Sequence, residues 1–288
     1  MEEGKGSRVR VHSKLRVMSS TPIEPNKVHK LSALDHAMAL HTLHVIFYYR
    51  ANPFHEGPME LDLDNLRITL SDHLCLYPPV TGRLVRDGEG NWEVKCNDAG
   101  IRMVRASVGV TVDEWLRSAD ASEERDLTVW ENMPQDPIYW SPLRIQALED
   151  SELGHVVALV HKHVTGIEEG EFWSAVDWFE SQKGEKGKYA APFRMYGPEL
   201  TCISMEHMSC ADESLMYSAM FREEERPVHV SYNVGNVGGK GLIMVMPSPG
   251  DRVGRTVMLS LPENQISILS QDEAIMELDP QMLISGRR

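Results

Sequence analysis

The chain has 288 residues, of which 42% are hydrophobic and 25% are charged, and its 29 Lys and Arg residues against 43 Asp and Glu residues leave a net charge of −14. This composition is typical of a globular protein, and the length suits one large domain or two modest ones. The acidic balance argues against a general binder of nucleic acid or anionic membranes, because such proteins gain affinity by neutralising phosphates. The four cysteines, at positions 75, 96, 202 and 210, are too few and too irregularly spaced for a disulfide framework or a zinc knuckle, and they suit a reducing compartment.

The first predicted element is a β-strand with a basic face. Basic or imidazole side chains at even positions alternate with apolar side chains at odd positions: Arg8, Arg10, His12, Lys14 and Arg16 against Val9, Val11, Leu15 and Val17. This alternation predicts a half-buried strand with its basic face in solvent, rather than a targeting segment. The sequence has neither the apolar core of a signal peptide nor a run of about 20 apolar residues, so we expect a soluble cytoplasmic protein.

Short helices and strands follow in the first half of the chain. A helical stretch is predicted at 31–35, and a strand at 41–50, where side chains alternate. Leu66, Leu70 and Leu74 recur at four-residue spacing and predict an amphipathic helix that ends before the prolines that follow. The chain then turns at 97–100 between two alternating segments, 92–96 and 101–106, and this arrangement predicts a β-hairpin.

The second half begins with a strand whose side chains are all apolar. Residues 156–160 predict a strand covered on both faces, which ends in His161, Lys162 and His163. A helix is predicted at 167–179 and a polar linker at 181–188. The remaining predicted elements are strands at 228–234, 242–246 and 256–261, a glycine-rich turn at 234–241, and a helix from about Glu263.

Two patterns resemble ligand sites but favour simpler interpretations. The glycine-rich turn at 235–241 is one residue shorter than a P-loop and precedes a strand rather than a helix, so a hairpin turn is favoured over a phosphate loop. His41 and His44 fall on opposite faces of their predicted strand, and His161 and His163 have no obvious third ligand nearby. We therefore expect no metal site.

A third pattern places Cys202, His207 and Cys210 close together in sequence. A catalytic cysteine needs a base that the fold brings to it, and sequence proximity does not show one. Small buried thiols are the favoured interpretation.

His163 is the candidate catalytic residue. It ends a predicted buried strand and precedes Thr165 and Gly166, a position from which a polar side chain can project into a cleft from a rigid support. By itself a histidine there is more often structural, and the surrounding sequence blocks are what favour a catalytic role.

The order of several sequence blocks resembles the plant BAHD family of acyl-CoA-dependent acyltransferases. Each block is weakly specific alone, but the order is quite specific. The blocks are the opening strand at 8–19, Leu31–Asp35 against LSxxD, 70–84 against LS…YPxxAGRL, 96–101 against CNDxGV, and Pro142, Leu143 and Gln146 against PLxxxQ. Within the family, residues 196–201 and 237–241 are most similar to the ECERIFERUM2-like branch, which is associated with very-long-chain fatty acids of cuticular wax.

The resemblance assigns His163 to the histidine of the family's HxxxD signature, whose role is general base. The signature aspartate is missing, because Ile167 stands four residues later and Glu168 and Glu169 follow it. The counterpart of the family's DFGWG motif is 234–238, which lacks the Asp, the aromatic residue and the Trp. Family members are longer, and the missing part would fall between about residues 179 and 196.

The resemblance implies a chloramphenicol-acetyltransferase-like α/β fold with a mixed sheet and flanking helices. It implies an N-terminal domain at 1–180, a polar linker at 181–192 and a remnant of a C-terminal domain at 193–288. The implied activity is acyl transfer from acyl-CoA, as co-substrate and not as a bound cofactor, to a hydroxyl or amine of a small acceptor. Cofactor-binding residues are not indicated, and a monomer is expected.

Two alternatives to catalysis remain open. The chain could be a non-catalytic accessory protein that binds a condensing enzyme of fatty-acid elongation at the endoplasmic reticulum, or it could be a defective fragment. The altered HxxxD and DFGWG motifs favour these alternatives over simple catalysis, whereas the family resemblance favours a transferase.

Overall fold

The computed structural model describes residues 7–37, 42–50, 63–128, 139–148, 169–184, 187–189, 200–205, 209–210, 213–214, 226–235, 240–248 and 251–284. The strand predicted at 156–160, His161 and His163 lie outside the described residues, as do His41, His207 and residues 236–239.

The described chain contains both helices and strands, interspersed along its length, which confirms the predicted mixed α/β class. The helices are α1 (Ala33–Ala37), α2 (Leu63–Leu74), α3 (Pro78–Thr81), α4 (Val112–Ser118), α5 (Ala121–Asp126), α6 (Glu169–Ser181), α7 (Glu263–Leu269) and α8 (Glu273–Met276). The strands are β1 (Val9–Val17), β2 (Val28–Lys30), β3 (Leu43–Tyr48), β4 (Arg83–Arg86), β5 (Trp92–Lys95), β6 (Ile101–Val108), β7 (Arg144–Leu148), β8 (Thr201–Ser204), β9 (Ser209–Cys210), β10 (Glu213–Ser214), β11 (His229–Val234), β12 (Leu242–Ser248) and β13 (Asp251–Ser260). No helix in these described ranges combines the length and apolar character needed to cross a membrane.

The first sheet has the order β1-β6-β7, with β1 antiparallel and β7 parallel to β6. Its register shifts at His12, because Val11 pairs with Ala106 while Ser13 pairs with the adjacent Arg105. Such a bulge reverses the face to which later side chains point. The single basic face expected for β1 is therefore wrong: Arg10 and Lys14 lie on opposite faces of the sheet.

The apolar positions of β1 are also less buried than the alternation predicts. Val17 is buried, but Val11 and Leu15 are 50% and 37% exposed. The strand lies at the edge of its sheet, and the bulge moves part of its apolar set away from the core.

The hairpin predicted between 92–96 and 101–106 is wrong. Strand β5 pairs with β4 and β2 in a second sheet, whereas β6 pairs with β1 and β7. The intervening turn is held by other parts of the chain, since Arg83 donates to the carbonyls of Ala99 and Gly100 and Asp98 accepts from Ser19. These contacts direct the chain from one sheet into the next.

The glycine-rich turn likewise does not join a hairpin. Strand β11 pairs with β3, whereas β12 pairs with β8 and β13. The physical reason is close backbone approach: Gly235 donates its N–H to the Thr42 carbonyl at 2.7 Å, and a Cβ at that position would clash with the Thr42 hydroxyl. The long apolar run of β12 is accommodated by a central position in its own sheet.

Strand β3 is the middle layer of the core. Ile46 and Tyr48 pack into one buried cluster with Trp115, while Val45 and Phe47 pack on the opposite side against β11 and β12. A third cluster joins the first sheet to α2 and contains Leu66 and Leu74, with Leu70 packed against it, as their helical spacing predicts. The alternation of β3 thus separates two cores rather than a core from solvent.

The polar segment after α6 contacts the turn between β4 and β5. Asn91 donates to the Gly187 carbonyl at 3.1 Å and accepts from the Tyr189 amide at 2.9 Å. The Tyr189 ring stacks on His36 of α1, with ring centroids 4.0 Å apart. The domain boundaries predicted near residues 180 and 192 stay predictions.

Candidate functional site

The described elements bracket the predicted base without including it. Strand β7 ends at Leu148 and α6 begins at Glu169, so His163 and Ile167 lie between them and outside the described residues. The role of His163 as general base therefore stays a prediction.

Strand β7, the last described element before this segment, pairs with β6 in the first sheet. All of its residues after Arg144 are buried, and Gln146 donates from Nε2 to the carbonyl of Asp126 at 3.1 Å. Because Gln146 belongs to the block that resembles PLxxxQ, this contact gives the glutamine a structural role, which is to tie β7 to the end of α5.

The counterpart of the DFGWG motif begins where β11 ends. Val234 pairs with Leu43, and Gly235 continues the contact with Thr42. In this chain the position is therefore used to pack the end of a second-half strand against a first-half strand.

A buried polar cluster lies between this strand pair and α5, and it was not predicted. The Tyr48 hydroxyl donates to Oε1 of Glu124 at 2.7 Å, and Asn233 donates from Nδ2 to Oε2 of the same carboxylate at 3.3 Å. Glu124 and Tyr48 are only 5% and 0% exposed. A buried carboxylate is tolerated when donors satisfy its oxygens, and here the donors come from β3 and β11.

Burial and the neighbouring carboxylate both raise the pKa of Tyr48 well above its usual value. The phenol is therefore protonated at any physiological pH and acts as a donor, not as a base. His229, which pairs with Tyr48 across the strands and hydrogen-bonds Ser231 at 3.1 Å, has its pKa lowered to about 4 by burial. Tyr48, Glu124 and His229 are enclosed by the core, so the cluster is better suited to holding elements together than to meeting a substrate.

His44 is the described member of the first histidine pair. It lies opposite Asn233, and burial, followed by the positive charge of Arg144, lowers its pKa to about 4. The imidazole is therefore neutral at physiological pH. Within the described ranges, no three His, Cys, Asp or Glu side chains come together in a way that would hold a metal ion.

The described cysteines differ in burial. Cys96 is buried, and burial raises the pKa of its thiol. Cys202 is exposed, so the expectation of a buried thiol there is wrong; it lies on β8, at the edge of its sheet, and points away from the core. The side chain of Cys210 lies outside the described residues.

The sequence contained one signal for the position of Glu124 but none for its burial. Asp120 and Glu123 form a capping box that starts α5, with the Asp120 side chain accepting from the Glu123 amide at 2.9 Å. That pattern predicts a helix start at this point. The acidic segment it introduces is typical of a solvated helix, and only the packing of β3 and β11 against it buries Glu124.

Comparison with protein families identifies the class. A model described as the Transferase family matches residues 7–147 and 137–276 of this chain. The chain therefore belongs to the Transferase family of plant BAHD acyltransferases, which confirms the family resemblance.

Individual relatives are similar over parts of the chain. Over 150 residues the chain is 31% identical to "Protein ECERIFERUM 26-like" of Arabidopsis thaliana, and the aligned region covers 52% of this chain and 35% of that protein. It is 28% identical to "Protein ECERIFERUM 2" of the same species, over 58% of this chain and 40% of that protein. It is 25% identical to "Hydroxycinnamoyl-CoA:piscidic acid hydroxycinnamoyltransferase" of Actaea racemosa, over 58% and 37% of the two chains. The chain thus spans less than half the length of these relatives.

Among solved structures, vinorine synthase is similar with a TM-score of 0.42 and 22% identity, over 64% of this chain and 45% of that one.

Proposed function

We propose that this chain is an acyltransferase of BAHD type, in which His163 removes a proton from a hydroxyl or amine acceptor as that group attacks the thioester carbonyl of acyl-CoA. The observation that carries this proposal is the family match, which covers the chain on both sides of His163. The similar hydroxycinnamoyltransferase supports acyl-CoA as the class of donor.

The proposed reaction forms an ester or amide bond and breaks the carbon–sulfur bond of the thioester. The proton taken by His163 goes to the departing thiolate, so the products are the acylated acceptor and free CoA. A neutral imidazole is needed to accept the proton, and donors are needed for the oxyanion of the tetrahedral intermediate. Ile167 cannot supply the carboxylate of the family signature, so in this chain that carboxylate does not help to position His163.

The test is release of free CoA by the purified protein with a panel of acyl-CoAs and of alcohol or amine acceptors. His163→Ala should lower the rate by about 100-fold or more, the usual loss for a general base. His161→Ala, two residues away, is the matched control and should retain most of the rate. Equal rates for wild type and His163→Ala would refute the proposal.

A second candidate is favoured by the ECERIFERUM relatives and by the altered motifs. In this second proposal the chain is a non-catalytic accessory protein of very-long-chain fatty-acid elongation that binds a condensing enzyme. The chain would then be cytoplasmic, with peripheral attachment at the endoplasmic reticulum.

Co-expression with a condensing enzyme separates the two candidates. An accessory protein should lengthen the fatty-acid profile with either wild type or His163→Ala, whereas a catalytic contribution should be lost in the variant. No CoA release and an unchanged profile together would support a defective fragment.

A further inference from the structure

Strand β1 forms one edge of the first sheet. The order of this sheet is β1-β6-β7, so β6 is the single hydrogen-bonded neighbour of β1 among the strands that the structure describes. Val11 and Leu15 are exposed although they lie within the strand. An edge of this kind presents main-chain donors and acceptors to solvent. We call the side of Val9–Val17 that faces away from β6 the β1 edge.

The β1 edge carries three exposed cations, which are Arg10, Lys14 and Arg16. Among the described residues, no carboxylate forms an ion pair with any of these three side chains. Arg8 of the same strand differs, because it is 3.0 Å from a carboxylate oxygen of Glu123. In a chain that is acidic overall, the β1 edge therefore concentrates positive charge that carboxylates of another molecule can meet.

The cations are distributed over the two faces of the sheet in a fixed pattern. Lys14 and Arg16 are two positions apart after the bulge, so they point to one face. Leu15 lies between them and points to the other face, and the bulge at His12 places Arg10 on the same face as Leu15. After the bulge, the β1 edge thus presents two cations on one face and an apolar side chain on the other.

A second copy of this chain fits the β1 edge poorly. In an antiparallel pairing of two copies centred on Leu15, Lys14 of one copy would lie opposite Arg16 of the other. Like charges placed directly opposite each other destabilise a sheet. Exposed charges and a bulge are the usual devices by which edge strands avoid pairing with themselves.

An anionic membrane also fits the β1 edge less well than a strand does. Recognition of anionic lipid takes a cluster of about four to eight basic residues, whereas each face of the β1 edge presents one or two. A strand added at the edge contacts both faces of the sheet at once, because its side chains point alternately to the two faces. It can therefore reach the cations and Leu15 together.

We propose that the β1 edge docks an extended acidic segment of a partner protein as an added strand. The segment places carboxylates opposite Lys14 and Arg16 and an apolar side chain opposite Leu15. Main-chain hydrogen bonds supply affinity in this mode of recognition, and alternate side chains supply specificity. The charges that repel a basic strand stabilise an acidic one. The inference goes beyond acyl transfer, because it concerns a partner protein and none of these residues has a role in that reaction as described above.

The first test is fluorescence anisotropy of the full chain with a labelled peptide of the same length as β1 that alternates Glu and Val. A salt concentration of about 0.15 M screens charges beyond about 8 Å, so the local cations dominate. Lys14→Gln and Arg16→Gln should each weaken binding by about two- to five-fold, and the double variant by about 10-fold. Unfolding midpoints verify that the sheet is intact. Absence of binding by wild type would overturn the proposal.

Arg10→Gln is the matched control, because it removes the same charge from the same strand on the face where the peptide presents Val. Its affinity should stay within about two-fold of wild type. Equal weakening by Arg10→Gln and by Arg16→Gln would overturn the proposal, because the attraction would then be one of net charge. A peptide with Gln in place of Glu should bind wild type no better than the double variant.

Backbone methylation of the peptide tests whether it adds as a strand. Alternate residues of a strand direct their N–H groups to the same side, so methylation of one alternate set of nitrogens should abolish binding and methylation of the other set should be tolerated. Binding should also slow hydrogen exchange at those amides of β1 that do not bond to β6. Unchanged affinity of both methylated peptides would overturn strand addition.

Sedimentation with phosphatidylcholine vesicles, with and without about 20% phosphatidic acid, tests the membrane alternative. The proposal predicts the same sedimentation for wild type and for the Lys14→Gln, Arg16→Gln double variant. Vesicle binding that the double variant loses, without binding of the Glu and Val peptide, would overturn the proposal in favour of a lipid surface.

Discussion

The Tyr48 hydroxyl donates a 2.7 Å hydrogen bond to the buried Glu124 carboxylate, and this contact joins strand β3 to helix α5. Asn233 of β11 donates to the other oxygen of the same carboxylate. The Glu124 carboxylate of α5 thus accepts hydrogen bonds from β3 and from β11, through Tyr48 and Asn233, which are 185 positions apart in the chain. The cluster holds the second-half strand to the first-half core at the position where the DFGWG counterpart begins.

We expect Tyr48→Phe to lower the free energy of unfolding by about 1–3 kcal/mol, because it leaves a buried carboxylate oxygen without its donor. Urea denaturation measures the change. Tyr139→Phe is the control: Tyr139 is 72% exposed, and loss of its hydroxyl should change stability by less than about 0.5 kcal/mol. Equal effects of the two substitutions would show that the buried contact contributes nothing specific.

Stability should fall as the pH is lowered from about 7 to 5, in part through His229. Its pKa is about 4 when folded and is normally near 6.5 in an unfolded chain, so the unfolded state takes up the proton first. The stabilisation is therefore present above about pH 6.5 and is lost as the pH falls toward 4, with about 2 kcal/mol lost by pH 5. Urea denaturation at both pH values measures this loss.

His229→Gln should reduce that pH dependence even if it lowers stability at pH 7. His44 contributes in the same direction, because its pKa is also lowered to about 4, so the dependence should not vanish. The exposed His29 provides the control substitution, His29→Gln. An unchanged slope between pH 5 and 7 in His229→Gln would contradict the assignment.

Gly235→Ala should destabilise the protein by about 1–3 kcal/mol, because the added methyl group clashes with the Thr42 hydroxyl. The double variant Gly235→Ala with Thr42→Ala removes that hydroxyl and should recover part of the loss. Gly88→Ala is the matched control, since a Cβ there has no heavy atom within 4 Å. A double-mutant cycle from denaturation curves gives the coupling, and additive effects would exclude the clash as the cause.

Arg8→Ala should lower stability by about 1–2 kcal/mol, because this arginine contacts two different partners. Its guanidinium forms a 3.0 Å ion pair with Glu123 and lies 4.5 Å from the centroid of the Trp115 ring. Arg10→Ala, at an exposed position of β1, should have little effect. Thermal unfolding of the two variants tests this difference, and part of the Arg8 contribution should disappear at high salt.

Much of the local structure could be predicted because it depends on neighbouring residues. Leu66, Leu70 and Leu74 lie on the face of α2 that packs against the first sheet, as their spacing predicts. The alternation of β3 directs its side chains into two different buried clusters. The ordered sequence blocks were sufficient for the family. None of these inferences required knowledge of a distant contact.

The sequence by itself therefore predicted many of the elements, the family and a candidate base, whereas the tertiary structure decided which elements pair. The two adjacent-strand hairpins predicted from turns are absent, because β5 and β6 belong to different sheets and β11 pairs with β3 instead of β12. The bulge at His12 and the burial of Glu124 have the same origin. Backbone hydrogen bonds can join the edges of any two strands. Turn residues therefore allow the chain to reverse direction but do not determine which strand pairs with which. That pairing depends on packing across the whole chain.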